Sequence, residues 1–288
     1  MADGMARQSW AQELRRLAIV VALAAVAPFG ALAQQGPAVP PAAPPATTEE
    51  PKPEAELPPI SRDCQIGTTQ VVSQSPLPNV ERALRERQRI VILVIGASPV
   101  ALRNSAGGGH YDAVEKLLEG TFKGLDVSIV HRGVSGELAR DAGERIKMEV
   151  ALLSPDLVLW QVGTADALSR MASDEFEQNL TETLVWLRGH GVDVALIGLH
   201  YIKALIKDPY YQAIRASLKR VSAELGVMRI GRYEAGETIM RIRNEQGKPM
   251  SSTRLTEAAY ECSAEYLSRA IASGLFLKKT PKPPLPKK

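Results

Sequence analysis

Four apolar runs constrain this chain more than anything else in it: "IVILVIG" (90–96), "DVSIVHRG" (126–133), "DLVLWQVG" (156–163) and "DVALIGLH" (193–200). Each is too continuous for a strand with one wet face and too short for a buried helix. Three of the four end at glycine or just past it. Between them lie stretches with helical spacing, among them "DAVEKLLEGTF", "ELARDAGERIKMEVALL" and "SDEFEQNLTETLVWLRGHG". A fifth short run, "VMRIGRY", follows the helical pattern "YYQAIRASLKRVSAELG", and a last helix is predicted over about 256–272. Apolar strands that alternate with helices predict an α/β fold: a doubly wound, three-layer sandwich with a central parallel sheet.

In such sheets ligands bind beyond the carboxyl ends of the strands. Here those ends carry Gly96 and Ser98, His131 with Gly133 and Gly136, Gly163 with Asp166, and His200. A serine hydroxyl attacks a carbonyl only when a base takes its proton and donors stabilise the oxyanion. Of the four histidines, His110 and His190 fall in loop or turn sequence and are expected in solvent. His131 and His200 are the two that can face the edge, either as a substitute base or as local polar groups satisfying the backbone. His131, His200 and Asp166 lack any metal-ligand spacing, so no metal is expected. "GGGH" (107–110) follows no strand and lacks the G-x-G-x-x-G spacing of a dinucleotide loop, so no cofactor is expected either. Trp160 and Trp186 are expected in the core. Tyr201, Tyr210 and Tyr211 either pack a helix on the sheet or line a sugar-binding cleft.

The two ends of the chain differ from this body. Arg15 and Arg16 precede "LAIVVALAAVAPFGALA", which closes on an A-x-A site; this describes a secretory signal peptide over 1–33. The run is short for a membrane span and contains Pro28, so the mature chain is expected without one. Residues 34–60 are a proline- and alanine-rich linker, and 278–288 ("KKTPKPPLPKK" from 278 on) a basic tail. The net charge of +3 overstates the body, because five lysines sit in the tail and the linker is acidic. The folded stretch, 61–277, is close to neutral, which excludes a nucleic-acid groove. Its length suits one domain with a sizeable core. Two cysteines, Cys64 and Cys262, lie in polar, peripheral-looking sequence, and an exported chain with two favours a disulfide between them. The location expected is periplasmic or secreted.

Four segments at the strand ends then read as a set: Gly96-Ala97-Ser98, "HRGVSGE" (131–137), "GTAD" (163–166) and "SSTRLTEAAY" (251–260). In order and spacing they resemble the blocks of the SGNH (GDSL) hydrolase family, which contains secreted esterases, lipases and carbohydrate O-deacetylases. The resemblance covers roughly 88–275 and implies the SGNH-hydrolase, flavodoxin-like form of the sandwich. It puts Ser98 at the nucleophile position and the Gly136 N–H in the oxyanion hole, with Gly96, Gly163 and Asp166 beside the pocket. It also exposes three departures. Ala165 stands where the family's asparagine donates to the oxyanion. Ser251 stands at the orienting aspartate and Arg254 at the histidine base. Loss of one oxyanion donor costs about 10²–10³ in rate. A guanidinium stays protonated and cannot serve as base.

The reading that follows is an exported cell-envelope protein, a catalytically impaired esterase relative that keeps a cleft for a small-molecule, glycan or acyl-ester ligand. Two alternatives stand beside it. One is an active serine esterase or carbohydrate O-deacetylase using His131 or His200 as a non-standard base. The other is a tethered structural module whose proline-rich ends are its working parts.

Overall fold

The computed structural model of the protein describes residues 57–65, 71–96 and 109–275. Ala97, Ser98 and Pro99, residues 107 and 108 of the glycine-rich stretch, the expected signal peptide, most of the expected linker and the basic tail lie outside the described residues, whereas Gly109 and His110 open a helix. Six strands form one sheet: β1 (Val72–Ser73), β2 (Arg89–Gly96), β3 (Asp126–Gly133), β4 (Leu157–Gln161), β5 (Asp193–Ile197) and β6 (Met228–Ile230). Their order across the sheet is β1-β6-β5-β4-β2-β3. All neighbours are parallel except β1, which pairs antiparallel with β6 through Val72 and Ile230. The helices among the described residues are α1 (Pro78–Arg87), α2 (Gly109–Thr121), α3 (Ala139–Leu153), α4 (Thr164–Leu168), α5 (Ser173–Gly189), α6 (Pro209–Glu224), α7 (Arg232–Glu245) and α8 (Ser252–Gly274).

Strand periodicity divides the core in two. Ile90, Ile92 and Val94 of β2 point into one layer, with Leu157, Leu159, Ala195 and Ile197, under residues of α1, α2, α7 and α8. Leu93 and Ile95 point to the other face, with Val158, Trp160 and Leu196, under α3, α5 and α6. Side chains that alternate across a strand and are buried on both sides explain the unbroken apolar runs. The three-layer α/β sandwich expected from those runs is the fold observed. Local signals set helix starts as well. Asp208 accepts from Tyr211 N at 2.8 Å to open α6, with Pro209 in its first turn.

Some elements depart from the sequence reading. "VMRIGRY" is a strand only over Met228–Ile230; Gly231 ends it, and Arg232 and Tyr233 already belong to α7. The last helix starts at Ser252, a full turn earlier than expected, because Ser251 caps it. Cys64 and Cys262 form the expected disulfide, with Cα atoms 5.2 Å apart. Its setting is not peripheral: the two residues are 3% and 2% exposed and belong to the core under α8. Trp160 is in the core, whereas Trp186 is half-buried and stacks on the exposed His190.

Candidate site at the carboxyl edge of the sheet

Strand β2 ends at Gly96, two residues before the serine expected as nucleophile, and packing shows why glycine stands there. A Cβ on Gly96 would lie 2.6 Å from Gln161 Cβ and 2.9 Å from Gln161 O on β4. Any larger residue would push the two strand ends apart. Gly96 O also accepts from Val134 N at 3.1 Å, which ties the exit of β3 to the exit of β2.

The turn after β3 holds Gly136 at φ +73°, a conformation that glycine adopts without strain. Among the described residues no atom beyond its chain neighbours lies within 4 Å of where its Cβ would be. Two carboxylates hold the segment after it. Glu137, nearly buried, takes Arg145 Nε at 2.7 Å. Asp166 is 1% exposed; its Oδ1 accepts from Ala139 N at 2.7 Å and its Oδ2 from Gly163 N at 3.1 Å. Ala139 is the first residue of α3, so Asp166 caps that helix from a neighbouring connection and favours its positive end. Asp166 thus ties the first turn of α3 to the Gly163 turn. Burial raises its carboxyl above the usual range, against the opposing pull of the backbone N–H groups.

Ala165 sits half-buried on the short α4 and offers no side-chain donor. Ser251 and Arg254 open α8. The Ser251 hydroxyl accepts from Arg254 N at 3.3 Å, an N-cap, and the Arg254 guanidinium is exposed and paired with Glu257 Oε2 at 2.7 Å. Both side chains are therefore engaged in the first turn of their own helix.

The two candidate bases go to different places. His131 lies on the edge strand β3, in register with Val94, and is buried beneath the first turn of α2. Its ring meets Tyr111 edge-on at 5.7 Å, and its Nε2 is 3.9 Å from Asp112 Oδ1. His200 lies just past β5, directly beside position 165: its backbone N donates to Thr164 Oγ1 at 3.2 Å. Its carbonyl accepts from Tyr211 Oη at 2.6 Å, and its Nε2 is 2.6 Å from Tyr260 Oη.

Sequence reasoning did not single out what stands behind His200. Arg232, at the carboxyl end of β6, is 1% exposed, and its Nη1 donates to Tyr260 Oη at 3.2 Å. Its Nε and Nη2 have no hydrogen-bond partner, and its guanidinium carbon stands 5.2 Å from the centre of the Tyr260 ring. Burial pushes the phenols of Tyr111, Tyr211 and Tyr260 up, Tyr211 to about 12, while the Arg232 charge pulls each back in part. All three stay protonated at neutral pH. The sequence did carry a signal: an arginine immediately after an apolar strand that ends in glycine.

Val134, Leu168 and Tyr210 are among the large hydrophobic side chains exposed on the molecule, and each follows a different strand's exit. Two clefts, of about 510 and 780 Å³, lie instead at the amino ends of the strands, around Asp156 and Asp193. Those carboxylates serve structure: Asp193 accepts from Asn79 N and Val80 N at the start of α1, and Asp156 from Val91 N. Among the described residues no group of three His, Cys, Asp or Glu side chains is arranged to hold a metal. No described helix is long and apolar enough to cross a membrane.

The sandwich, with its glycine turn beside the exit of β3, has the SGNH-type fold. More specifically, the chain belongs to the non-GDSL lipase-like family, whose model matches residues 63–276. No curated protein matches the chain. Among solved structures it is similar to a two-domain esterase (CEX) active on acetylated mannans, co-crystallised with mannopentaose, with a TM-score of 0.59 and 14% identity. That match covers 78% of this chain and 61% of the esterase, so the chain spans about three fifths of that protein. The acetylxylan esterase Axe2 from Geobacillus stearothermophilus matches with a TM-score of 0.49 and 18% identity, over 66% of this chain and 95% of its own. TesA matches with a TM-score of 0.47 and 23% identity, over 60% and 97%. At these identities the likeness concerns the fold.

Proposed function

We propose that the protein is an exported, cell-envelope member of this family that has lost ordinary serine-esterase chemistry and keeps a cleft for an acyl-ester or acylated glycan ligand. Position 254 carries this reading: where the family's base belongs stands an exposed guanidinium, paired with Glu257 at 2.7 Å. It cannot accept the proton of Ser98. Ser251 in the orienting position cannot balance an imidazolium, and Ala165 removes one oxyanion donor. The cleft itself is supported by what remains. Asp166 still ties the first turn of α3 to the Gly163 turn, and exposed Val134, Leu168 and Tyr210, each after a different strand, offer apolar surface to an acyl group or a sugar face. Esterases active on acetylated mannans and xylans share the fold, which agrees with a ligand of that kind.

The test is a fluorophosphonate probe with turnover of a small activated acetate ester, on the mature protein and on Ser98→Ala. The expected result is no labelling of Ser98 and turnover no greater than that of the Ser98→Ala protein. Labelling at Ser98, with brisk turnover lost in His131→Ala or His200→Ala, replaces this reading with an active esterase that uses a non-standard base.

A further inference from the structure

We infer that the larger cleft at the amino end of the sheet, between α1 and α5, binds a small organic anion through the guanidinium groups of Arg82 and Arg188. The ligand class is a molecule that carries carboxylate or phosphate groups. This site is separate from the carboxyl edge and does not depend on the reading given to that edge.

The cleft has the size and build of a ligand site. Its volume is about 780 Å³, and small-molecule sites usually span roughly 300–1,000 Å³. Its walls come from elements far apart in the chain: Arg82 and Arg85 from α1, Leu184 and Arg188 from α5, and Val227 from the entry to β6. The charges that line it are unbalanced, three arginines against one carboxylate, Asp193. Asp193 is buried, and its oxygens accept from Asn79 N at 2.7 Å, Asn79 Nδ2 at 2.8 Å and Val80 N at 3.0 Å. Its charge therefore serves the positive end of α1.

The three arginines differ in what holds them. Arg85 pairs with Glu81 at 3.1 Å on the exposed face of α1. Arg188 Nη2 donates to Leu225 O, which fixes the side chain at the cleft and leaves its charge uncompensated. Among the described residues neither Arg82 nor Arg188 forms an ion pair. Arg85, Arg87 and Arg188 lie in the last turns of their helices, where the dipole favours a cation. Arg82 lies a turn earlier, at i,i+3 from Arg85, and like charges at that spacing weaken a helix. Helix stability thus does not account for Arg82. A shared anion does, because Arg82 on one wall and Arg188 on the other each present a planar fork that matches carboxylate or phosphate oxygens. The neighbouring cleft of about 510 Å³ shares Arg82 but adds Glu86 and Asp156, so the anion is assigned to the larger one.

The experiment is calorimetry with ¹H–¹⁵N NMR on the intact protein at low ionic strength. Citrate is the carboxylate probe, pyrophosphate the phosphate probe and xylotriose the neutral control. At least one anion is expected to bind and xylotriose is not, and the tighter anion tells which group the cleft prefers. Amide shifts are expected at Gly191, Val192, Gly226 and Val227, which line the cleft. Arg82→Gln, at an exposed position, should weaken binding at least about fivefold, the loss of a charge-assisted contact. Arg241→Gln, which removes another exposed arginine on α7, should leave the affinity unchanged. Binding of neither anion, an equal loss in Arg241→Gln and Arg82→Gln, or shifts centred on Gly136, Gly163 and His200 overturns the inference. Ser98→Ala should bind the anion as wild type does, so this result stays separate from Ser98 labelling, which decides the proposed function.

Discussion

Asp166 offers the sharpest perturbation of the edge. Its two oxygens satisfy the N–H groups of Ala139 and Gly163 at 2.7 and 3.1 Å, and the side chain is buried. Asp166→Ala leaves both N–H groups without an acceptor; at roughly 1–3 kcal/mol for each stranded donor the loss of stability should be about 3–5 kcal/mol. Asp166→Asn keeps one acceptor and turns an amide N–H₂ toward the other donor, so about half that loss is expected. Urea unfolding followed by tryptophan fluorescence gives the values, and an unchanged m shows that the native state stays compact. Hydrogen exchange should report faster opening at 134–139 and at Gly163 before the rest of the sheet. The pH dependence adds a sign. Burial raises the folded carboxyl above its ordinary value of about 3.8, so the folded protein binds this proton more tightly than the unfolded chain. The contribution of Asp166 therefore falls as pH rises from about 4 through its folded value, and levels off above it. Wild type should lead Asp166→Asn by the widest margin at the acid end. A loss under about 1 kcal/mol in Asp166→Ala, or a margin that widens toward neutral pH, refutes the view that Asp166 braces this edge from a buried site.

Replacing both Cys64 and Cys262 with serine should cost about 2–5 kcal/mol, since the bridge closes a separation of 198 residues; calorimetry should place the melting point at least about 5 °C lower. Gly96→Ala should destabilise by more than about 2 kcal/mol, because its Cβ would meet Gln161 at 2.6 Å; a denaturant melt matching wild type would contradict that contact. The triple change Ala165→Asn, Ser251→Asp, Arg254→His restores donor, orienter and base, and Asp still caps α8; turnover of an activated acetate ester should exceed the product of the single effects and vanish with Ser98→Ala.

The fold was legible because burial on both faces leaves a signal that needs no neighbours. β3 to β5 lie within or coincide with an apolar run, β2 exceeds its run by Arg89 alone, and the helices between them follow the amphipathic pattern. What escaped was short or polar. β1 spans two residues and is a strand only because β6 lies beside it. α7, "RYEAGETIMRIRNE", carries few apolar residues, and its first two were absorbed into the preceding run. The cysteines looked peripheral because their neighbours in sequence are polar, yet one face of α8 turns Cys262 inward and Tyr266 donates to Cys64 O.

The site shows a different limit. Motif matching asks which expected group is present at an expected position, and it reported Ala165, Ser251 and Arg254 as losses. It has no means of reporting a gain. Tyr260 entered the sequence reading only as the end of "SSTRLTEAAY", and Arg232 only as the tail of an apolar run. Arginine is almost never fully buried, so the one local mark of Arg232, its place straight after an apolar strand that ends in glycine, does not by itself make it an interior residue. Only the meeting of β6, α8 and the segment after β5 puts a guanidinium, a phenol and an imidazole in series, 3.2 and 2.6 Å apart.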